Sequence, residues 1–150
     1  MIAYPDTSFL CAFYRKQANS PQAAAHFLQM PEALHVASPL LFEFRQSVRW
    51  QTFLHQKDPD KGYDKTTALA ALAKLQQEIA MGAVVVVPVE WADVVSIAER
   101  LSAQYTWTEG CRGFDVLHVA TALHLGAAEF LTFDKNQKKL AEGEGLFVPL

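Results

Sequence analysis

Four carboxylates, Asp6, Glu43, Asp115 and Asp134, fall where a group of acids could act together. Each also has an ordinary explanation. Asp6, Asp115 and Asp134 lie where helices are expected to begin, and an aspartate there accepts from an otherwise unpaired backbone N–H. Asp134 has Gln137 three residues on, the spacing of a capping box. Glu43 taken alone is a solvated helix residue. Brought together, however, the four would repel: at about 5 Å and an effective dielectric near 20, one pair costs on the order of 3 kcal/mol. Such a group persists when a cation neutralises it or some members stay protonated. An all-oxygen set with no cysteine or histidine cluster suits Mg²⁺ or Mn²⁺ rather than zinc.

The elements that carry these acids decide between the two readings. Residues 2–4 form a short buried-strand candidate stopped by Pro5, and Asp6-Thr7-Ser8 then opens an apolar helix over 9–14. Ser20 caps the next helix, with Pro21 at its first position. A strand over 34–37 ends in Ser38-Pro39, and the following helix runs to about residue 55 with Glu43 in its second turn. The polar run 57–62 is a loop, and Asp64 caps a strong helix former, Lys65–Met81, that stops at Gly82. The β-branched run 83–87 predicts a strand buried on both faces. A helix over 90–105, a connector over 106–113, a helix from Phe114, a strand over 129–133, a helix opened by Asp134 and a weak strand over 146–148 complete the chain.

Alternating strands and helices predict an α/β fold: three layers, α/β/α, with a mainly parallel central sheet. In such a fold helix N-termini gather at the carboxyl edge of the sheet, where ligands bind. Asp6 and Asp134 each follow a strand, Glu43 sits early in the helix after one, and Asp115 opens the helix leading into one. All four are thereby placed on one edge.

The length of 150 residues and 51% apolar composition fit one domain, residues 1–150, with a sizeable core and argue against disorder. A net charge of −3 gives no general basic field, so nucleic acid would have to be gripped locally. Cys11 and Cys111 fit neither a disulfide framework nor a metal pair, no leader is visible, and no apolar run could span a membrane. These features predict a soluble, cytoplasmic protein.

At the same residues the sequence resembles the PIN domain, the ribonuclease fold of VapC-type toxins in bacterial toxin–antitoxin pairs. The resemblance rests on Asp6-Thr7-Ser8 after the first strand, Glu43 in the third helix, Asp115 with His118-Val119-Ala120, and Thr132-Phe133-Asp134. It implies that Asp6, Glu43, Asp115 and Asp134 are catalytic, metal-site carboxylates for Mg²⁺ (or Mn²⁺), with Ser8 and Thr132 as supporting polar groups. The implied reaction is metal-assisted hydrolysis of RNA phosphodiester bonds. Asp6 and Asp115 are expected as direct ligands, and Glu43 and Asp134 as groups that orient water or hold a second ion. The resemblance further implies a cognate antitoxin laid across the acidic site and a homodimer. The alternative is a PIN-like fold serving as a non-catalytic RNA- or protein-binding module.

RNA needs positive charge near these acids. Arg45 and Arg49, four apart on the helix of Glu43, and Lys135, next to Asp134, are the expected RNA-binding residues. Arg15, Lys16, Arg112, Lys138 and Lys139 are further candidates. His118, one turn beyond Asp115, is either a packed histidine in an apolar helix or a general base or ligand. The aromatic set Phe42, Phe44, Trp50 and Phe53 has the helical spacing of core or partner surface. A haloacid-dehalogenase-type phosphatase would have a second aspartate where Ser8 stands. A dinucleotide site would have glycines after the first strand.

Overall fold

The computed structural model describes residues 2–150. In chain order its elements are β1 (Ala3–Pro5), α1 (Thr7–Tyr14), α2 (Ser20–Gln29), β2 (Leu34–Val36), α3 (Ser38–Lys57), α4 (Lys65–Met81), β3 (Val84–Val86) and α5 (Trp91–Leu101). A π-helical turn, Ser102–Thr106, leads into α6 (Trp107–Glu109), followed by α7 (Gly113–His124), β4 (Glu129–Leu131) and α8 (Lys135–Gly143).

Two parallel ladders form the sheet. Tyr4 is opposite Phe130 in β1–β4, and His35 is opposite Val85 in β2–β3. β2 runs beside β1, so the order across the molecule is β3, β2, β1, β4. Beyond β4, Phe147 bridges Glu129 in parallel, which reduces the strand expected over 146–148 to a single bridge. Helices flank this parallel sheet, the α/β/α layering that the alternating pattern predicts. No helix among the described residues is long and apolar enough to cross a membrane.

The core is built on the pleat of β1 and β4 and on α7. Tyr4, Phe9, Phe44, Phe130, Leu10, Leu40 and Leu131 are almost completely buried, each contributing roughly 1.5–3 kcal/mol of apolar transfer. α7 is apolar nearly all round and buries Val116, Val119, Ala120 and Ala122, as expected of a helix with neighbours on several sides. Phe9 of α1 stacks on Phe133 with ring centroids 6.2 Å apart, which ties the loop after β1 to the loop after β4.

Other expectations also need correction. α2 begins at Ser20 itself, with Asn19 rather than Ser20 at the cap position. The run 83–87 is not a strand buried on both faces: β3 is the edge of its ladder, with Val84 buried but Val85 and Val86 36% and 41% exposed. A continuous β-branched run marks a strand, but it does not say how many neighbours the strand has. The connector expected from residue 106 is helical as far as Glu109, and Gly110, at φ 63°, is what stops it. α7 begins at Gly113 with Arg112 as its cap residue, so Asp115 lies inside the first turn and caps nothing.

Candidate active site

Because the ladders are parallel, the loops after β1 and β4 and the start of α3 open on one edge of the sheet. Asp6 follows β1 at once, its N–H donating to the Leu131 carbonyl at 2.9 Å, and it caps α1 by accepting from the Phe9 N–H at 2.9 Å. It is nevertheless far more than a cap. The residue is fully buried, and Oδ1 also accepts from Ser8 Oγ at 2.7 Å. Oδ2 accepts from Thr132 Oγ1 at 2.5 Å and Gln137 Nε2 at 2.8 Å. Two donors on each oxygen occupy the acceptor capacity of a carboxylate. Burial pushes the Asp6 carboxyl up to about 6 against the opposing pull of the Ser8, Thr132 and Phe9 hydrogen bonds.

Ser8 and Thr132 extend this network outward. Ser8 Oγ accepts from the Phe133 N–H at 2.8 Å, and Thr132 Oγ1 accepts from the Asp134 N–H at 2.9 Å. Asp134 caps α8 as expected, its Oδ1 accepting from the N–H groups of Asn136 at 2.8 Å and Gln137 at 3.0 Å. The capping-box spacing is present, but the Gln137 amide turns to Asp6 instead of back to the cap. Its Oε1 is buried with no partner among the described residues. Gln137 was missed as a site residue because spacing assigned it a local job.

Glu43 is half-buried and held from two sides. Its Oε2 accepts from Thr7 Oγ1 and from the buried His118 Nε2, the latter at 2.6 Å. Burial by itself would raise its carboxyl, but the hydrogen bonds from His118 and Thr7, with the His118 and Arg112 charges, leave it below the usual glutamate range. His118 is therefore packed in an apolar helix and also positions Glu43. Only the i, i+3 offset from Asp115 hints at this in the sequence. Thr7 carries no sequence signal.

Asp115 and Asp134 meet through Arg112. The guanidinium Nε lies 3.0 Å from Asp115 Oδ2, and Nη2 lies 3.8 Å from Asp134 Oδ2. Asp115, then Asp134 and Glu43, raise the guanidinium pKa, so one cation answers three of the four acids. Among the described residues no three His, Cys, Asp or Glu side chains stand as a ready-made metal group. The donor set nonetheless suits a hard cation: it is all oxygen, an uncommitted buried oxygen sits on Gln137 beside Asp6, and a positive group already lies between Asp115 and Asp134.

The basic residues are placed unevenly. Arg45 and Arg49 follow Glu43 by two and six positions, about 200° and 240° around α3, so they face away from the acids. Arg49 lines a groove between α3 and α4 with Phe53, Lys65 and Leu69. Lys135 is exposed and borders a shallow cavity with Asp134, Lys138 and Leu150.

The PIN domain family model matches residues 3–143, and the chain belongs to the PIN domain family. No curated protein sequence matches it significantly. Among solved structures it is similar to FitAcB from Neisseria gonorrhoeae, at 18% identity and TM-score 0.66 over 98% of this chain and 96% of that one. It is also similar to VapC20 from Mycobacterium tuberculosis, a sarcin–ricin loop cleaving toxin. The two chains share 21% identity with a TM-score of 0.63, covering 91% and 93% of their respective lengths. A third, VapBC2 from Rickettsia felis bound to a promoter DNA fragment, has 15% identity and TM-score 0.65 over 99% and 97%. At these identities the likeness is one of fold.

Proposed function

We propose that this PIN domain is a Mg²⁺- or Mn²⁺-dependent endoribonuclease and the toxin of a toxin–antitoxin pair. The observation that carries the reading is one guanidinium, Arg112, lying 3.0 Å from Asp115 and 3.8 Å from Asp134 and within the charge influence of Glu43, on the sheet edge that also carries the buried carboxyl of Asp6. A binding module has no use for acids that need a counter-ion. Asp115 and Asp134 would hold the cation, with Asp6 joining when one of its four donors turns away and Glu43 left to orient water or hold a second ion. A divalent ion bound there supplies charge stabilisation to a phosphate and acidifies a water.

The chain's own residues define the rest. His118 and Thr7 fix Glu43 as an ionised carboxylate able to orient or deprotonate a water. Ser8 and Thr132 lock the two loops that bear Asp6 and Asp134. Arg112, 78% exposed in its side chain, is free to turn from the acids to a substrate phosphate, a fork geometry well suited to it. Lys135 stands beside Asp134 for the same strand, and Arg45 and Arg49 serve only RNA that wraps round α3.

The toxin role is supported by the names of the similar structures, FitAcB and VapBC2 among them. Exposed Phe42, Trp50 and Phe53 on α3 and Leu28 on α2 supply apolar surface for an antitoxin or a second copy in a homodimer. The purified protein is expected to fragment total cellular RNA with Mg²⁺ or Mn²⁺ and to leave it intact in EDTA. Folded protein that cuts with neither metal would overturn the reading in favour of a non-catalytic module.

A further inference from the structure

We propose that the cavity between the π-turn–α6 segment and α8 is a nucleobase pocket that takes the base beside the phosphate held at the carboxylates. This rests on the nuclease reading above. The cavity has a volume of about 240 Å³. One wall is a single face of α8, where Asn136, Lys139, Leu140 and Gly143 recur at helical spacing. Tyr105, Glu109 and Cys111 form the other wall.

Its position follows from the chain. Asn136 is two residues from Asp134 and its backbone N–H caps onto that carboxylate, while Cys111 adjoins Arg112. The cavity therefore opens beside the acids and runs away from them along α8. Its chemistry suits a flat heteroaromatic ring. Tyr105 is fixed from behind, its hydroxyl donating to Glu144 at 2.9 Å while Arg100 holds the other oxygen of that carboxylate at 2.7 Å. Gly143 allows this close fit, since a Cβ there would lie 3.1 Å from the Tyr105 hydroxyl. Leu140 gives an apolar floor.

The Asn136 side-chain amide has no partner among the described residues and offers one acceptor and two donors to a base edge. Lys139 is already matched by Glu109 at 2.6 Å, so the pocket has no spare cation for a phosphate. An aromatic wall, an apolar floor and a free amide are the means by which proteins hold a splayed base of single-stranded RNA.

Cys111 provides a reporter, because it lines the pocket half-buried whereas Cys11 is only 7% exposed. Burial pushes the Cys111 thiol up, so alkylation by N-ethylmaleimide is best followed at mildly alkaline pH. The rate is measured in EDTA, where no strand is cut, with tetraribonucleotides of A, C, G or U and with an abasic tetranucleotide. At least one base-bearing strand is expected to slow alkylation roughly fivefold or more, the low end of what one base–aromatic stack contributes. The abasic strand should not, and Asn136→Ala should reduce the protection. No protection by any strand, or equal protection by the abasic one, overturns the pocket. Protein that cuts RNA but is not protected loses the pocket and keeps the nuclease reading. Protein that is protected but never cuts keeps the pocket and loses the nuclease.

Discussion

Asp115→Asn is expected to fold as the wild type does and to cut RNA about 10²–10³-fold more slowly, the usual loss when one preorganised electrostatic group is removed from a site. The amide has the shape of the carboxylate. Among the described residues the interaction it weakens is the pair with Arg112, whose side chain is 78% exposed against 13% for Asp115, and a pair open to solvent on one side contributes about 0–1 kcal/mol. Thermal denaturation should therefore be little changed while the initial rate of metal-dependent cleavage collapses. Cleavage within a few-fold of wild type by the variant would remove Asp115 from the machinery.

The second large effect is on stability. The folded-state pKa of Asp6 is raised, from an ordinary 3.8 to about 6, chiefly by burial. A group that holds its proton more tightly when folded stabilises the fold below the unfolded value and ceases to do so as pH rises through the folded one. In EDTA, stability from Asp6 is thus fully present below about pH 4 and lost by a little above pH 6, a change of about 3 kcal/mol. Glu43 acts in the opposite sense, its lowered value adding stability above the ordinary glutamate range and losing it as pH falls. Comparison with Asp6→Asn separates the two, because the variant keeps the Glu43 slope and lacks the other. Urea denaturation across this range should show the variant gaining on the wild type as pH rises. Parallel curves would show that Asp6 has an ordinary pKa.

Much of the site was legible because each acid follows a strand or falls near a helix start, and parallel topology sends all such positions to one edge. What the sequence concealed depends on side-chain direction. Gln137 has capping-box spacing, yet its amide crosses to Asp6. Thr7, the first residue of α1, looks like part of a cap sequence, and only packing against α3 brings it to Glu43. Arg112 was one basic residue among several until the start of α7 at Gly113 set it beside Asp115. Arg45 and Arg49 show the converse: though close to Glu43 in sequence, they lie about 200° and 240° from it around α3. At β3 the residue types identified the strand but not its edge position, since neighbours in a sheet are set by distant segments.

The central proposal is that the place between Asp115 and Asp134, where Arg112 lies, is the place of a cation. Calorimetric titration of Mn²⁺ into wild-type protein, Arg112→Gln and an Asp115→Asn Asp134→Asn double variant tests it most directly. The account predicts saturable binding to the wild type and about two- to fivefold tighter binding to Arg112→Gln, the worth of the exposed ion pair that metal must displace. It predicts no such binding to the double variant. Binding that survives in the double variant, or that weakens in Arg112→Gln, would contradict it.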